Sequence, residues 1–409
     1  MRETLLIIGG GFEALEGIKT AQRLGLRVII VDGNVNAPGF KLSDYKIVVS
    51  TYDFLKISQE IKKLEKNGVR IDGVISMCAD VPLCVAMIAK KFSLPGLSIQ
   101  AARLVSDKLA MKDKLKAKGI PIPKYADVSD KKNLHRSAQN IGFPIVVKPV
   151  DSRGSRGVQV IDSEKDLETA WLIARSNSPT HRVMIEEFLQ GPQISTETIC
   201  NDGAYATIGF ADRNYEWLPE TKPYIIENGG DAPTQLCTYA KEEITNVVEK
   251  AALSLGITTG IAKGDMVYTD KGAKVIEIAG RLSGGYFSTI QIPLATGIDF
   301  VEKAIKIALG KTLNPSELIP QKKQAVAIRY IKLDPGIFIS VKGLQKARSS
   351  TGVKMLQFFI KKNEKILKLS DHTKRSGFVI TVGKTKAEAI TRAEKALSKL
   401  SFQILDFKL

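Results

Sequence analysis

Lys148 closes an apolar run and is followed by glycines, serines and arginines in "VVKPVDSRGSRGV", residues 146–158. A lysine leaving a strand puts its ammonium at the strand end. Gly154 and Gly157 let the backbone approach an anion closely, and Ser152 and Ser155 add donors, so the segment reads as a phosphate-binding loop. It is not a Walker A loop, because its lysine precedes its glycines and no G-x-x-x-x-G-K-[ST] occurs. Downstream, Asp265 lies on the strand-like "GDMVYTD" and Glu277 on "KVIEIAG", with a turn at residues 270–272 between them. In a hairpin these carboxylates can share a face, and two hard oxygen ligands beside phosphates suit Mg²⁺. Arg281 stands where the second strand gives way to "GRLSGG", a position from which a guanidinium can stabilise a phosphoryl group in transfer. Each feature alone also fits a solvated loop or an exposed ion pair. Together, all at strand ends, they make a site for phosphoryl transfer a better reading than any of these alternatives.

These groups need a scaffold. "TLLIIGGGF", the helically spaced "EALEGIKTAQRLG" and "LRVIIVDGN" give a βαβ start, hence a parallel sheet covered by helices, and the alternation continues to about residue 100. The helix-rich "SIQAARLVSDKLAMKDKLKAKG" follows, stopped by Gly119 and the prolines of "IPIPKY". From about 124 the pattern changes to antiparallel strands with interspersed helices, and "FVEKAIKIALG" ends at Gly310. After the linker-like "NPSELIPQKK" comes an α+β tail of three strands and the helix "TKAEAITRAEKALSKL". The opening turn Gly9 to Ala14, with Asp32 at the end of the next strand, also fits a relaxed dinucleotide fingerprint, so an NAD-binding protein is a rival reading.

Composition narrows the classes. No run approaches the roughly 18 apolar residues of a membrane span, and "LLII" is too short for a signal-peptide core, so a cytoplasmic protein without a membrane partner is expected. The four cysteines lack a C-x-x-C pair and the three histidines lie far apart, which indicates neither a disulfide framework nor a zinc site. The net charge of +17 invites a nucleic-acid reading, but residues 321–409 hold 20 Lys and Arg against 6 Asp and Glu, interleaved with apolar residues. That tail has no zinc-finger, helix-turn-helix or RNP-like pattern, so nucleic acid is disfavoured as a partner.

The order of these pieces resembles the ATP-grasp superfamily over essentially the whole chain. The branch is that of carboxylate–amine ligases, including L-amino-acid ligases, with the carbamoyl-phosphate synthetase large chain and biotin carboxylase as relatives. The segments that carry the resemblance are "SDKLAMKDKLKAKGIPIPKY", "FPIVVKPVDSRGSRGV", "VMIEEFLQG" and "GDMVYTDKGAKVIEIAGRLSGG". It implies an α/β and α+β multidomain fold: a Rossmann-like pre-ATP-grasp domain over 1–100, a two-part ATP-grasp domain over 101–315 (phosphate-loop part about 124–182, metal-hairpin part about 183–315), and a basic α+β domain over 321–409.

The resemblance also implies roles. Lys108 and Lys148 touch nucleotide phosphates, and Ser152, Gly154, Ser155 and Gly157 belong to a loop closing over them. Glu186 faces the adenine amine, the backbone of Glu187 and Leu189 grips the ring edge, and Gln193 meets the ribose. Asp265 and Glu277 bind Mg²⁺, as one or two ions or with Mn²⁺ in its place, and Arg281 sits beside the transferred phosphoryl. The stretch 213–235 resembles a substrate-facing loop, which makes Arg213 and Glu227 substrate candidates, and His372 and Arg375 of the tail can reach an acceptor carboxylate. Two departures matter: Ala279 and Gln193 stand where relatives often carry Asn and an acid. No Gln-Val-Glu follows Arg281, which argues against bicarbonate as the acyl substrate. The implied activity is an ATP- and Mg²⁺-dependent ligation of a small carboxylic acid, an amino acid or similar metabolite, to an amine through an acyl phosphate, by a protein for which a homodimer is one assembly the resemblance allows. Carbamoyl-phosphate-synthetase-like or carboxylase-type chemistry is the alternative.

Overall fold

In the computed structural model, which describes residues 2–407, four short apolar runs form a parallel sheet in the order Tyr45–Val48, Arg27–Asp32, Thr4–Ile8, Gly73–Ile75. Successive side chains of a strand face opposite ways. Leu5 and Ile7 therefore enter one core with Ile18 and Ala21 of the helix Leu15–Arg23, while Leu6 and Ile8 enter another with Ile57 and Ile61 of the helix Phe54–Lys66. Both faces of the two central strands Thr4–Ile8 and Arg27–Asp32 are covered, which is why these runs are largely apolar rather than alternating, while the edge strand Tyr45–Val48 is mostly exposed. Asp32 accepts from the amides of Gly10 and Asn34, each at 2.8 Å. The acid that a dinucleotide ribose would need is thus engaged in bracing the glycine turn.

The connector is two helices, Ile99–Ser106 and Lys108–Ala117. Asp107 divides them: its backbone is extended and its carboxylate accepts from the Ala110 amide at 2.9 Å, as an N-cap does. Lys108 becomes the first residue of the second helix, beside the phosphate loop, where its amide donates to the Val150 carbonyl at 3.1 Å.

Two further sheets face each other across the chain's main cleft. The first is antiparallel, ordered Tyr125–Asp127, Val183–Glu187, Ile145–Pro149, Gln159–Ile161. It packs on the helices Leu134–Ile141 and Leu167–Ser176 through Leu134, Ala138, Leu167, Ala170 and Trp171. The second has eight strands: Gly272–Ala279, Gly260–Thr269, Gln193–Asn201, Ala204–Asn214, Gly229–Ala232, Ala325–Ile331, Gly377–Gly383, Val353–Phe358. The helix Thr238–Ser254 covers it with Ile244, Val248 and Ala251.

The last three strands of that sheet come from the basic tail, and Gly230 lies in register with Ile328 across the junction. The sheet therefore runs through the expected boundary near residue 321. The tail adds a small sheet of Lys365–Ile366, Gly336–Lys342 and Ser401–Leu405 that the sequence pattern did not reveal. Their exposed edges and short lengths dilute the period-2 signal.

One register detail positions the chemistry. The pairs from Met266–Val275 to Thr269–Gly272 set a ladder that would place Ile276 opposite Asp265. A bulge between Asp265 and Met266 skips one residue and brings Glu277 opposite Asp265 instead. Because side chains alternate, a one-residue slip would have turned the second carboxylate to the other face.

Candidate active site

The main cavity, of about 660 Å³, lies between the two facing sheets and is closed at its ends by the first domain and the tail. Lys148 and Glu186 lie diagonally on neighbouring strands, and their side chains meet in a short buried contact. Glu186 also pairs with Lys112 at 3.0 Å. Burial alone would raise the Glu186 carboxyl, but Lys112 and Lys148 hold it below its usual range. Burial pushes the Lys112 ammonium down to about 8, against the pull of Glu186. Glu186 lines the cavity, and its carboxylate is shared by two lysines, which the low-dielectric interior requires of a buried acid. The Glu187 amide, expected at the ring edge, donates to the Lys124 carbonyl at 2.8 Å. Leu189 and Gln193 do line the cavity.

The phosphate loop is tied down from three directions. Lys108 Nζ donates to the Ser152 carbonyl at 2.9 Å, the His372 amide to the Gly154 carbonyl at 3.1 Å, and Ser155 Oγ to the Ile225 carbonyl at 2.9 Å. Arg153 stacks on Tyr52 at 4.9 Å and approaches Asp80 at 3.7 Å. Gly154, Ser155 and Gly157 all have positive φ, near 67°, 62° and 70°. A side chain at Gly157 would come within 2.8 Å of Asn177 Cβ, so only glycine fits that corner. The Ser155 hydroxyl, expected as a free phosphate donor, is engaged by Ile225.

Asp265 and Glu277 lie directly opposite one another, as their residue types suggested. Asp265 is held by Arg213 at 2.7 Å and by a short contact to Lys263, and Glu277 by Lys108 at 3.3 Å. Burial would raise the Asp265 carboxyl, but Arg213 and Lys263 keep it far below the usual carboxylate range, so it is ionised at physiological pH. Two hard carboxylates fit Mg²⁺ by donor chemistry. Among the described residues no cluster of three or more metal-type side chains exists, so phosphate or water oxygens would complete the shell.

Arg281 Nε lies 3.2 Å from Asp80 Oδ1, on the loop that ends the fourth strand of the parallel sheet, and its Nη1 donates to the Leu282 carbonyl at 3.0 Å. Farther along the cavity, Arg213 pairs with Glu227 at 2.9 Å, and the Glu227 amide donates to His372 Nε2 at 3.3 Å. Arg375 donates to the carbonyls of His372 at 3.0 Å and Glu227 at 3.4 Å. Burial, with Arg375 and Arg213 nearby, holds His372 well below its ordinary value, so the ring is neutral and accepts that amide. The four substrate candidates drawn from distant segments thus share one end of the cavity.

Sequence reading missed Lys112 and Lys263. Both had a signal: Lys112 is one helical turn beyond Lys108, and Lys263 shares a strand face with Asp265 two residues on. It also missed Glu197, fully buried beneath the "RLSGG" loop, where it accepts from the Ser283 amide at 2.6 Å and Ser288 Oγ at 2.5 Å. Burial outweighs these bonds and pushes its carboxyl from 4.5 up to about 7. Between those values the folded chain holds a proton that the unfolded chain has lost, so stability falls as pH rises, by about 3 kcal/mol in all. Glu197→Gln should flatten that slope in thermal melts taken from pH 4.5 to 8. An unchanged slope would place the carboxyl's titration elsewhere.

Comparison with known proteins agrees with this geometry. Residues 107–316, half of the chain, match the family described as "Carbamoyl-phosphate synthase L chain, ATP binding domain", and residues 329–404 match "L-amino acid ligase C-terminal domain 2". An uncharacterized protein of Sinorhizobium fredii is 25% identical over 396 residues, covering 95% of this chain and 80% of that one. The carbamoyl phosphate synthase large chain of Thermotoga petrophila is 25% identical over 357 residues, covering 81% of this chain and 31% of its own length. This chain thus spans about a third of the large chains it resembles. The crystal structure of the L-amino acid ligase from Bacillus licheniformis superposes with a TM-score of 0.84 at 23% identity, covering 99% of both chains. No helix among the described residues is long and apolar enough to cross a membrane. With a family match over half its length and the lysines, hairpin acids and arginine assembled on one cavity, the chain belongs to the carbamoyl-phosphate synthase L chain ATP-binding family of ATP-grasp ligases.

Proposed function

We propose that this chain joins a small carboxylic acid to an amine at the expense of ATP, through an acyl phosphate, releasing ADP and phosphate. The observation that carries the reading is the meeting, in one cavity, of the bulge-aligned Asp265–Glu277 pair, Lys108, Lys148 and Arg281 with a second charged set at Arg213, Glu227, His372 and Arg375. The first set suits a nucleoside triphosphate, the second a small polar substrate.

Lys108 and Lys148 hold phosphate oxygens, with the loop over Ser152–Gly157 above them, and the segment from Glu186 to Gln193 borders the base and ribose. Mg²⁺ held by Asp265 and Glu277, as one ion or two, supplies neutralisation of phosphate charge. An oxygen of the acid's carboxylate attacks the γ-phosphorus, ADP leaves, and Arg281 stabilises charge on the phosphoryl in transit. The amine nitrogen then attacks the acyl carbon, phosphate leaves, and the nitrogen loses its proton.

Positioning and charge suffice for both steps, so no protein nucleophile is needed. Cys78, the thiol that lines the cavity, is unsuited to that role because burial and the nearby Glu13 push it up and keep it protonated. The test is an ADP-release screen over amino acids and small carboxylates, singly and in pairs. ADP and phosphate should appear only when an acid and an amine are both present, and AMP with pyrophosphate would overturn the reading.

A further inference from the structure

Two arginines reach the phosphate end of the cavity from opposite sides, and one carboxylate stands between them. Arg153 belongs to the phosphate loop, and Arg281 lies just beyond the strand that carries Glu277. Each has Asp80 of the first domain as its ion-pair partner: Oδ1 lies 3.2 Å from Arg281 Nε, and Oδ2 lies 3.7 Å from Arg153 Nε. Asp80 thus serves the two arginines with separate oxygens. A third cation feels the same charge: burial works against the Lys108 ammonium, but Glu277 and Asp80 hold it above its ordinary value.

The two guanidiniums repel one another, which makes the carboxylate necessary to the arrangement. Burial, Arg156 and Arg281 all depress the Arg153 guanidinium. Burial also works against Arg281, but there Asp80 and Glu277 prevail and hold it above its ordinary value. Like charges brought together in a partly buried cavity need an anion between them, and Asp80 is that anion.

Its own position is firm. Asp80 ends the turn after the strand Gly73–Ile75 and stands two residues before the start of the helix Pro82–Lys91. Within the turn, Ser76 Oγ donates to the Ala79 carbonyl at 2.6 Å, and the Val81 amide donates to the same oxygen at 3.0 Å. The turn packs on Gly9, where φ is +96° and a Cβ would come within 2.8 Å of Ala79 Cβ. Arg153 is less fully engaged. It stacks on Tyr52, itself 58% exposed, and 3.7 Å is an ion-pair distance too long for a hydrogen bond. A loop shift of about 1 Å would make it a charge-assisted hydrogen bond.

We infer that Asp80 is a positioning residue that couples the two halves of the phosphate site: its grip on Arg153 seats the phosphate loop, and its grip on Arg281 aligns the guanidinium that meets the phosphoryl group. The role of Arg281 in this inference rests on the carboxylate–amine ligase reading. The first domain thereby takes part in phosphoryl transfer without touching the reacting atoms. Because one carboxylate serves both arginines, loss of Arg281 leaves Arg153 held more tightly.

Two measurements on the full chain test it. Limited digestion with trypsin reads the loop, as the rate of cleavage after Arg156, and steady-state kinetics with the best acid and amine pair read the alignment. Asp80→Asn keeps the shape and removes the charge. It should raise the cleavage rate about tenfold and lower kcat about 10- to 100-fold, with the KM for ATP within about threefold of wild type. Arg153→Met should raise cleavage similarly and lower kcat about tenfold, and the double variant should be no worse than Asp80→Asn alone, because both changes remove the same contact. Arg281→Met should slow cleavage about threefold, and Asp80→Glu, which keeps the charge, should stay within about threefold of wild type in cleavage. MgADP affinity within about threefold of wild type shows that each variant keeps its fold. The inference is overturned if Asp80→Asn is cleaved like wild type, if its loss falls on the KM for ATP with kcat intact, if the double variant loses the product of the two single losses, or if Arg281→Met leaves cleavage unchanged. Faster cleavage in Asp80→Asn and slower cleavage in Arg281→Met, in a chain that releases no ADP with any acid and amine pair, would leave the shared carboxylate standing and remove the ligase reading.

Discussion

Arg281→Met should lower kcat by about 10²- to 10³-fold while leaving the KM for ATP within a few-fold, the signature of a group whose contact strengthens in the transition state. The guanidinium is pre-positioned: it is fixed by Asp80 at 3.2 Å and by the Leu282 carbonyl, at the end of the strand that carries Glu277. Arg281→Lys should recover little, because an ammonium cannot reproduce the planar fork that meets Asp80 and a phosphoryl oxygen together. Steady-state kinetics with the best acid and amine pair measure both variants. A loss confined to KM for ATP would move Arg281 from the phosphoryl to ground-state nucleotide binding.

Glu277→Gln should weaken activation by Mg²⁺ by about 10²-fold or more, seen as a shift in the Mg²⁺ titration of the rate. The amide keeps the shape but removes the charge that balances Lys108, whose ammonium lies 3.3 Å away. Glu277→Asp keeps the charge and shortens the reach, so it should fall between wild type and Gln. An unshifted Mg²⁺ titration in Glu277→Gln would mean that the metal is held elsewhere.

Much of this site could be read from residue types alone. The lysine before a glycine loop, two acids flanking a tight turn and an arginine at a strand end each carry local chemical meaning, and the structure brings all of them to one cavity. The bulge that completes the acid pair could not be read, because the turn and the alternation of "KVIEIAG" favour the straight register. Nor could the dual pairing of Glu186, which needs Lys112 from a helix more than seventy residues earlier.

The join between the tail and the large sheet was illegible for the same reason. Gly229–Ala232 and Ala325–Ile331 are neighbours through backbone bonds across nearly a hundred residues, and nothing in either local pattern names the partner. The glycine turn at residues 9–14 shows the opposite error. Its local pattern fitted a dinucleotide site, yet Asp32 braces the turn and Glu13 is delivered to the ligase cavity.

The most direct test of the acyl-phosphate route is oxygen transfer. With the acid that supports turnover labelled with ¹⁸O in its carboxylate, phosphorus NMR of the products should show one ¹⁸O in each phosphate released, alongside ADP. Unlabelled phosphate, or label recovered in AMP, would contradict the route.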